Sequence, residues 1–382
     1  MPNFYEYLKW RGDLEFSREP FNPVDNAIFS QLSYLPMEGI VPEPGDADSV
    51  SIEEAGKLFA KEHKKYLSGN NPDVTITYGV NVLQAIKDAP RYKDCRLFGF
   101  VNNVDFIQEK QFSAYCIKTE KKKNTGGMFV VFRGTDMNLA GWKEDFNMSF
   151  KKTVPAQREA VVYLEKMAKK YSEPLIIAGH SKGGNLAVYA SAFCNKNVQK
   201  RISKIFCNDS PGFQKEIIRS REYKAICARI YSFIPQGSFV GMLLEHGEIP
   251  YVVKSNAIGF FQHNMDTWEV MHNNFVRAKL TQHSIFINKV LHEWLYQIDE
   301  SQREIFIGTL YDIITSGNAQ SLTDFPADWK NTAVGMINSI KNMDKDTKKL
   351  LLKIFANFYK TYYKNIGENL GNLLPEKLKI TQ

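Results

Sequence analysis

The stretch from Leu175 to Cys194 constrains this chain more than any other. Leu175-Ile176-Ile177-Ala178 is a short apolar run, Gly179-His180-Ser181-Lys182-Gly183 follows without a break, and Asn185–Cys194 reads as a helix that opens on small residues. A buried strand, a Gly-x-Ser-x-Gly turn and a helix in that order form the context in which the pattern becomes a nucleophile elbow. The turn is so tight that the residues two before and two after the serine must be small, and here they are Gly179 and Gly183. A serine at its apex is held in a strained backbone conformation and stands at a helix N-terminus, where free N–H groups favour developing negative charge. The N–H of Lys182, next after Ser181, is then the first expected oxyanion donor. The alternative is a glycine-rich strand-to-helix turn carrying a bystander serine.

The surrounding sequence repeats the strand–helix rhythm. Phe112–Lys118 and Met128–Phe132 read as two strands of a hairpin, with the polar turn at Lys121–Gly127 between them, and the second is apolar throughout, as a strand covered on both faces should be. A helix is expected over Gln157–Tyr171, and strands over Lys204–Cys207 and Ala228–Ile234. Such alternation implies right-handed crossovers, hence an α/β fold with a mainly parallel sheet flanked by helices. Before it, a proline-rich leader carries a short helix near Asp25–Leu35, and Ser51–Lys64 and Val80–Lys87 have helical spacing. Beyond His283 the pattern is helical to the end, with turn formers at Ser316–Asp328. The expected division is a main domain over 1–283, leader included, and a helical C-terminal extension over 284–382.

Composition narrows the function classes. With 382 residues, 43% of them hydrophobic, the chain can bury a large core without metal or disulfide staples. Its five cysteines are scattered and form no CxxC pair, which reads as reduced thiols in a cytoplasmic protein. The N-terminus shows no secretory signal pattern, and no apolar run approaches membrane-spanning length, so any membrane contact is expected to be peripheral. The net charge of +7 is spread along the chain; Lys121–Lys123 reads as a hairpin tip and Lys341–Lys353 as a solvated helix face. No aromatic-interleaved basic motif accompanies it, so no nucleic-acid partner is expected. No phosphate-binding loop and no metal-ligand spacing is present, so neither cofactor nor metal is expected.

Phe129-Val130-Val131-Phe132-Arg133-Gly134-Thr135, followed by Gly179-His180-Ser181-Lys182-Gly183-Gly184, resembles the class 3, fungal-type lipases. The likeness is closer to their uncharacterised bacterial relatives, domain of unknown function 2974, which carry segments like Tyr7–Asp13, Pro20–Asp25, Asn208–Phe213 and Gly259–Val270. It covers about Asn3 to Val276 and implies the α/β-hydrolase fold and the hydrolysis of carboxylic esters. By this resemblance Thr135 supplies the second oxyanion donor, through its backbone N–H and, as a further option, its hydroxyl. Class 3 lipases place their acid in an Asp-x-Val segment; the corresponding Ile234–Val240 segment here holds Ser238 instead.

Asp209 is the best replacement, because it closes the strand after the nucleophile helix at the edge where ligands bind. A helix cap or an Asx-turn before Pro211-Gly212 is the alternative use of that aspartate. Glu245 is the weaker candidate acid. For the base, His263 sits in a loop before the helix-like Met265–Asn274 segment, and the resemblance points to the same place; His246 and His283 are the other candidates, while His180 reads as a packing or positioning residue. Asp136 and Asp145 are placed to organise the oxyanion loop or to bond a nearby arginine. Met137–Phe150 reads as core more readily than as a lid or acyl pocket.

The expected activity is acyl transfer from a lipid or small-molecule ester to water through a Ser181-Asp209-His263 triad and an acyl-enzyme. Two rivals stand beside it. One is a catalytically silent lipase-like protein that binds an acyl or lipid ligand. The other is an interaction protein that uses the aromatic tail (Phe355, Phe358, Tyr359, Tyr362, Tyr363) to dock a partner or membrane surface. Substrate identity and oligomeric state are not legible in the sequence.

Overall fold

Alternation of apolar side chains along the central strands decides how the layers stack. In the computed structural model, described for residues 2–46, 48–68, 71, 73–119, 127–136, 139–148, 151–299, 301–305, 309 and 344–373, the strand Met128–Phe132 sends Phe129 and Val131 into one core, and Met128, Val130 and Phe132 into another. This is the period of two that a pleated strand imposes. One core is completed by helices α1 (Phe4–Arg11), α2 (Pro23–Leu32), α3 (Ile52–Glu62) and α4 (Val74–Ile86). The other is completed by α6 (Pro155–Lys170) and α7 (Lys182–Phe193), which follow α5 (Leu139–Asn147).

Between these layers, eight strands among the described residues form one sheet in sequence order. They are β1 (Val50–Ser51), β2 (Arg96–Asp105), β3 (Lys110–Lys118), β4 (Met128–Phe132), β5 (Leu175–His180), β6 (Ile202–Asn208), β7 (Ile230–Pro235) and β8 (Tyr251–Val253). The sheet is mixed: β1 to β4 pair antiparallel, whereas β4 to β8 pair parallel. The antiparallel share exceeds the single expected hairpin because of β2. Its sequence hides a strand, since Gly99 at φ +67° sits within a register shift between Phe98 and Val101 and the two asparagines at 102 and 103 break the apolar pattern.

Among the described residues the expected helices and strands appear with boundaries shifted by a few residues, except in one place; much of the stretch after His283 expected to be helical lies outside them. Met265–Asn274 is not helical: Met265–Thr267 makes one 3-10 turn, and a two-stranded hairpin of β9 (Val270–Met271) and β10 (Asn274–Phe275) follows. Met265 and Trp268, three apart, fit a helical repeat, but Val270 follows at the period of two of a strand, and all three are buried. The Lys121–Lys123 tip and the Ser316–Asp328 break lie outside the described residues.

The leader is tied down by a buried charge. Asn22 and Asp25 form a capping box at the start of α2. The Asp25 carboxylate also accepts hydrogen bonds from Arg91 Nε at 2.8 Å, Arg91 Nη2 at 2.6 Å and Tyr92 Oη at 2.6 Å. Arg91 spends a further donor on the carbonyls of Leu14 and Glu19.

The chain divides into two compact units, with the break between Leu280 and Thr281. In the second, α11 (Gln282–Gln297) meets α12 (Lys345–Leu373), after the short helices α8 (Lys196–Arg201), α9 (Lys215–Arg219) and α10 (Arg221–Ile226) of the first. Val290 and Ile354 are buried there, and the Phe286 and Tyr362 rings lie 5.6 Å apart. Tyr359 and Tyr363 are exposed, and the side chains of Phe355 and Phe358 lie outside the described set. No described helix is long and apolar enough to cross a membrane. All five cysteines are free thiols, and burial pushes those of Cys116, Cys194 and Cys207 up to about 12.

Candidate active site

The parallel strands β5, β6 and β7 end side by side, and the candidate residues follow immediately: Ser181 after β5, Asp209 after β6 and the loop of Ser238 after β7. Ser181 has φ +55° and ψ −131°, a region that side chains other than glycine's rarely occupy. Its N–H donates to Asn208 O at 2.9 Å, and its carbonyl accepts from Gly184 N at 3.0 Å. A Cβ on Gly179 would lie 2.2 Å from the Gly183 carbonyl, and one on Gly183 would lie 2.1 Å from the Phe132 carbonyl. Both glycines are therefore required by close backbone approach. The first residue of α7 is Lys182, so its N–H belongs to the helix turn that has no intrahelical acceptor.

Asp209 and His263 come together although they are 54 residues apart. His263 Nδ1 lies 2.7 Å from Asp209 Oδ2. The other oxygen, Oδ1, accepts from Ser238 Oγ at 2.5 Å and from Gly241 N at 3.0 Å. Asp209 is itself at positive φ and its amide donates to Phe233 O at 2.7 Å, so the neighbouring strand fixes its direction. Three donors converge on this buried carboxylate, and none of them comes from the helix that begins at Lys215. An ionised carboxylate can only accept, so His263 Nδ1 carries a proton, and in the neutral ring Nε2 is the bare nitrogen.

The Arg133-Gly134-Thr135 segment abuts the elbow. A Cβ on Gly134 would stand 3.0 Å from Ser181 Cβ and 2.6 Å from the His180 carbonyl. Thr135 Oγ1 donates its one proton to Asp145 Oδ2 at 2.6 Å. That commits the hydroxyl and leaves the backbone N–H as the free donor of this residue's two expected options. Asp136 meets Arg133 at 3.4 Å and accepts from Gln111.

The helix α5 carries two adjacent carboxylates. Glu144 is fully buried and joins four elements: it pairs with Lys182 Nζ at 3.1 Å and accepts from the amides of Gln111 at 3.0 Å and Ala156 at 2.8 Å. Asp145 stands 3.9 Å from Lys182 Nζ, and burial, opposed by Lys182 and the Thr135 hydrogen bond, pushes its carboxyl up to about 6.

The other candidates lie elsewhere. Glu245 pairs with Lys215 at 3.7 Å, His246 faces Glu248 at 3.2 Å, and His283 belongs to α11 in the second unit. Sequence reasoning passed over Ser238 as a donor, Gly241, Glu144 and Tyr34, which bonds His180 at 2.8 Å. Ser238 was marked by its place in the Ile234–Val240 segment; Tyr34 left no local signal, since it meets His180 across 146 residues of chain.

With this geometry in place, residues 86–312 match the Mbeg1-like family, which is more than half of the 382 residues. The chain belongs to that family. Mbeg1-like proteins are lipase-like, of the class 3 kind. The match runs from the last residue of α4 into the second unit and leaves α1 to α3 and the rest of α4 outside it, although Asn26 and Tyr34 of that N-terminal layer bond Asn208 and His180 beside the candidate site. Asn26 Nδ2 donates to Asn208 Oδ1 at 2.8 Å, beneath the elbow. No curated protein matches the chain well enough to serve as a relative.

Proposed function

We propose that this Mbeg1-like protein is a serine hydrolase of the α/β-hydrolase fold that cleaves a carboxylic ester through an acyl-enzyme. The observation that carries the reading is the 2.7 Å contact between His263 Nδ1 and Asp209 Oδ2, at the strand edge where Ser181 is held at positive φ. Asp209 fixes the tautomer in which His263 Nε2 is bare and favours the imidazolium that forms. His263 takes the Ser181 proton as Oγ attacks the ester carbonyl, and the backbone amides of Thr135 and Lys182 bind the oxyanion. His263 then gives the proton to the leaving alcohol. Water, deprotonated by the same imidazole, releases the acid and restores Ser181.

We also propose, from the sequence resemblance, kinship with domain of unknown function 2974 and action on a lipid or small ester; from the helical pattern, a catalytic domain over 1–283 with a helical extension over 284–382; and from the scattered cysteines, action in the cytoplasm. A fluorophosphonate probe tests the reading on the native full-length chain. Covalent labelling that disappears in Ser181→Ala and falls steeply in His263→Ala supports it. Absence of labelling in the folded wild-type chain overturns it in favour of a silent, ligand-binding relative.

A further inference from the structure

His180 takes no part in the proton transfers above, yet its buried ring is bonded at both ends. Nδ1 lies 2.8 Å from Tyr34 Oη, and Nε2 lies 2.9 Å from the backbone carbonyl oxygen of His263. A carbonyl oxygen only accepts, so Nε2 carries the proton; Nδ1 is then bare and accepts from the tyrosine hydroxyl. Electrostatics agree with this reading. Burial, reinforced by the nearby His263, holds the His180 imidazole well below its usual range, and burial raises the Tyr34 phenol, so the ring stays neutral and the hydroxyl keeps its proton. The two imidazoles also face each other, with centroids 4.4 Å apart and planes 37° from parallel.

The segment that carries His263 needs such an anchor. Gly259–His263 is a single 3-10 turn outside the sheet, and Phe260 and Phe261 before the histidine are exposed. Its other ties hold the neighbouring residues: Trp268 Nε1 donates to Gln262 O at 2.8 Å, Gly237 N to Gln262 Oε1 at 3.0 Å, and Asn264 Nδ2 to Tyr78 Oη at 3.1 Å. At His263 itself the main-chain carbonyl is held by His180. Displacing a catalytic group by about 1 Å can lower a rate about 100-fold.

We propose that His180, in the Nε2–H tautomer required by the His263 carbonyl and completed at Nδ1 by the Tyr34 hydroxyl, is the positioning residue of the base: it anchors the His263 carbonyl and presents an uncharged ring face to the imidazolium. The inference rests on the hydrolase reading and adds a residue pair to it, one of whose members lies outside the span matched to the family. The ring face contributes because an aromatic face attracts a cation, whereas a second charged imidazole would oppose its formation.

Three substitutions at His180 in the full-length chain separate anchoring from packing. The amide nitrogen of His180→Gln falls close to the position of Nε2 and donates to the His263 carbonyl. His180→Asn reaches only the Tyr34 side, and His180→Phe keeps the ring and loses both bonds. The readout is the second-order rate of Ser181 phosphonylation beside the melting temperature. The expected order is wild type, then Gln within about 10-fold, then Phe and Asn about 100-fold down, with the Gln and Phe variants melting within a few degrees of each other. Phe retaining more reactivity than Gln overturns the proposal, since that is the order packing alone would give.

Nitrogen-15 NMR of the histidine rings gives a second readout that needs no activity. Wild type should show His180 protonated on Nε2 and bare on Nδ1; Tyr34→Phe should keep the proton on Nε2, because the His263 carbonyl still requires it, and should label more slowly, because Nδ1 has lost its donor. A proton on Nδ1 in the wild-type chain overturns the proposal whether or not Ser181 reacts. A wild-type chain with the expected tautomer but no phosphonylation overturns the hydrolase reading and, with it, the catalytic purpose of the anchor.

Discussion

Ser238 Oγ donates to Asp209 Oδ1 across 2.5 Å, so the position where the resemblance to class 3 lipases leads one to expect an acid carries a hydroxyl bonded to the carboxylate that follows the neighbouring strand. The two sites are adjacent because β6 and β7 are parallel neighbours, with Asn208 beside Phe233 at their ends.

Asp209→Asn is expected to lower the rate of Ser181 phosphonylation by about 10⁴, because an amide no longer selects the Nδ1–H tautomer of His263. Ser238→Ala removes one of three donors and is expected to lower it about 5-fold, the equivalent of a typical hydrogen bond of about 1 kcal/mol. The exchange Asp209→Ser with Ser238→Asp should recover at least about 10-fold over Asp209→Ser alone. Equal rates for the single and the exchanged variant would mean that the acid is not interchangeable between the two strand ends.

Asp145 gives a pH dependence of stability. Its carboxyl is pushed up to about 6 by burial, against about 3.9 for an unperturbed aspartate. The folded state thus binds this proton more tightly than the unfolded state. Below about pH 4 both states hold it and the group has no net effect; as pH rises through about 6, ionisation in the buried site costs the folded state stability. Asp145→Asn keeps an acceptor for Thr135 Oγ1 and removes that cost. Its melting temperature relative to wild type should rise between pH 4 and pH 7.5. A difference that stays constant across this range would show that Asp145 does not titrate as described.

These features were not equally legible in the sequence. The elbow was the most legible, because strand, turn and helix are contiguous and Gly179 answers to Gly183 within the same turn, although Gly183 answers to the Phe132 carbonyl of a distant strand. Asp209 was reachable through topology, since it ends the next parallel strand. The segment after His263 reads as helix-like in sequence, yet it folds as a 3-10 turn and a hairpin that bury Met265, Trp268 and Val270 without a continuous helix. Tyr34 and Glu144 were invisible. Their partners, His180 and Lys182, are 146 and 38 residues distant, and nothing in a local pattern encodes such contacts. The strand β2 was hidden by Gly99, whose positive φ serves a bulge rather than a break.

The buried Lys182–Glu144 pair should behave as a unit. Both side chains are almost wholly out of solvent, and Glu144 also satisfies two backbone amides. Lys182→Met leaves the Glu144 charge without its ammonium and is expected to cost about 3–5 kcal/mol. Adding Glu144→Gln to it should cost less than the sum of the two single changes, by about 1–3 kcal/mol. Urea denaturation of the four proteins closes the cycle, and strict additivity would show that the two groups do not interact.

Ser181 is the place where function and stability should separate. Its φ of +55° and ψ of −131° belong to a region open to glycine and costly, by about 1–3 kcal/mol, for other residues. Ser181→Ala and Ser181→Gly both delete the nucleophile, but only glycine relieves the backbone. Glycine also gains about 1 kcal/mol of freedom in the unfolded chain, which offsets part of the relief. The Gly variant should therefore be more stable than the Ala variant by up to about 2 kcal/mol, with neither accepting a phosphonate. An Ala variant as stable as or more stable than the Gly variant in urea melts would mean that the elbow holds no backbone strain for the nucleophile to bear.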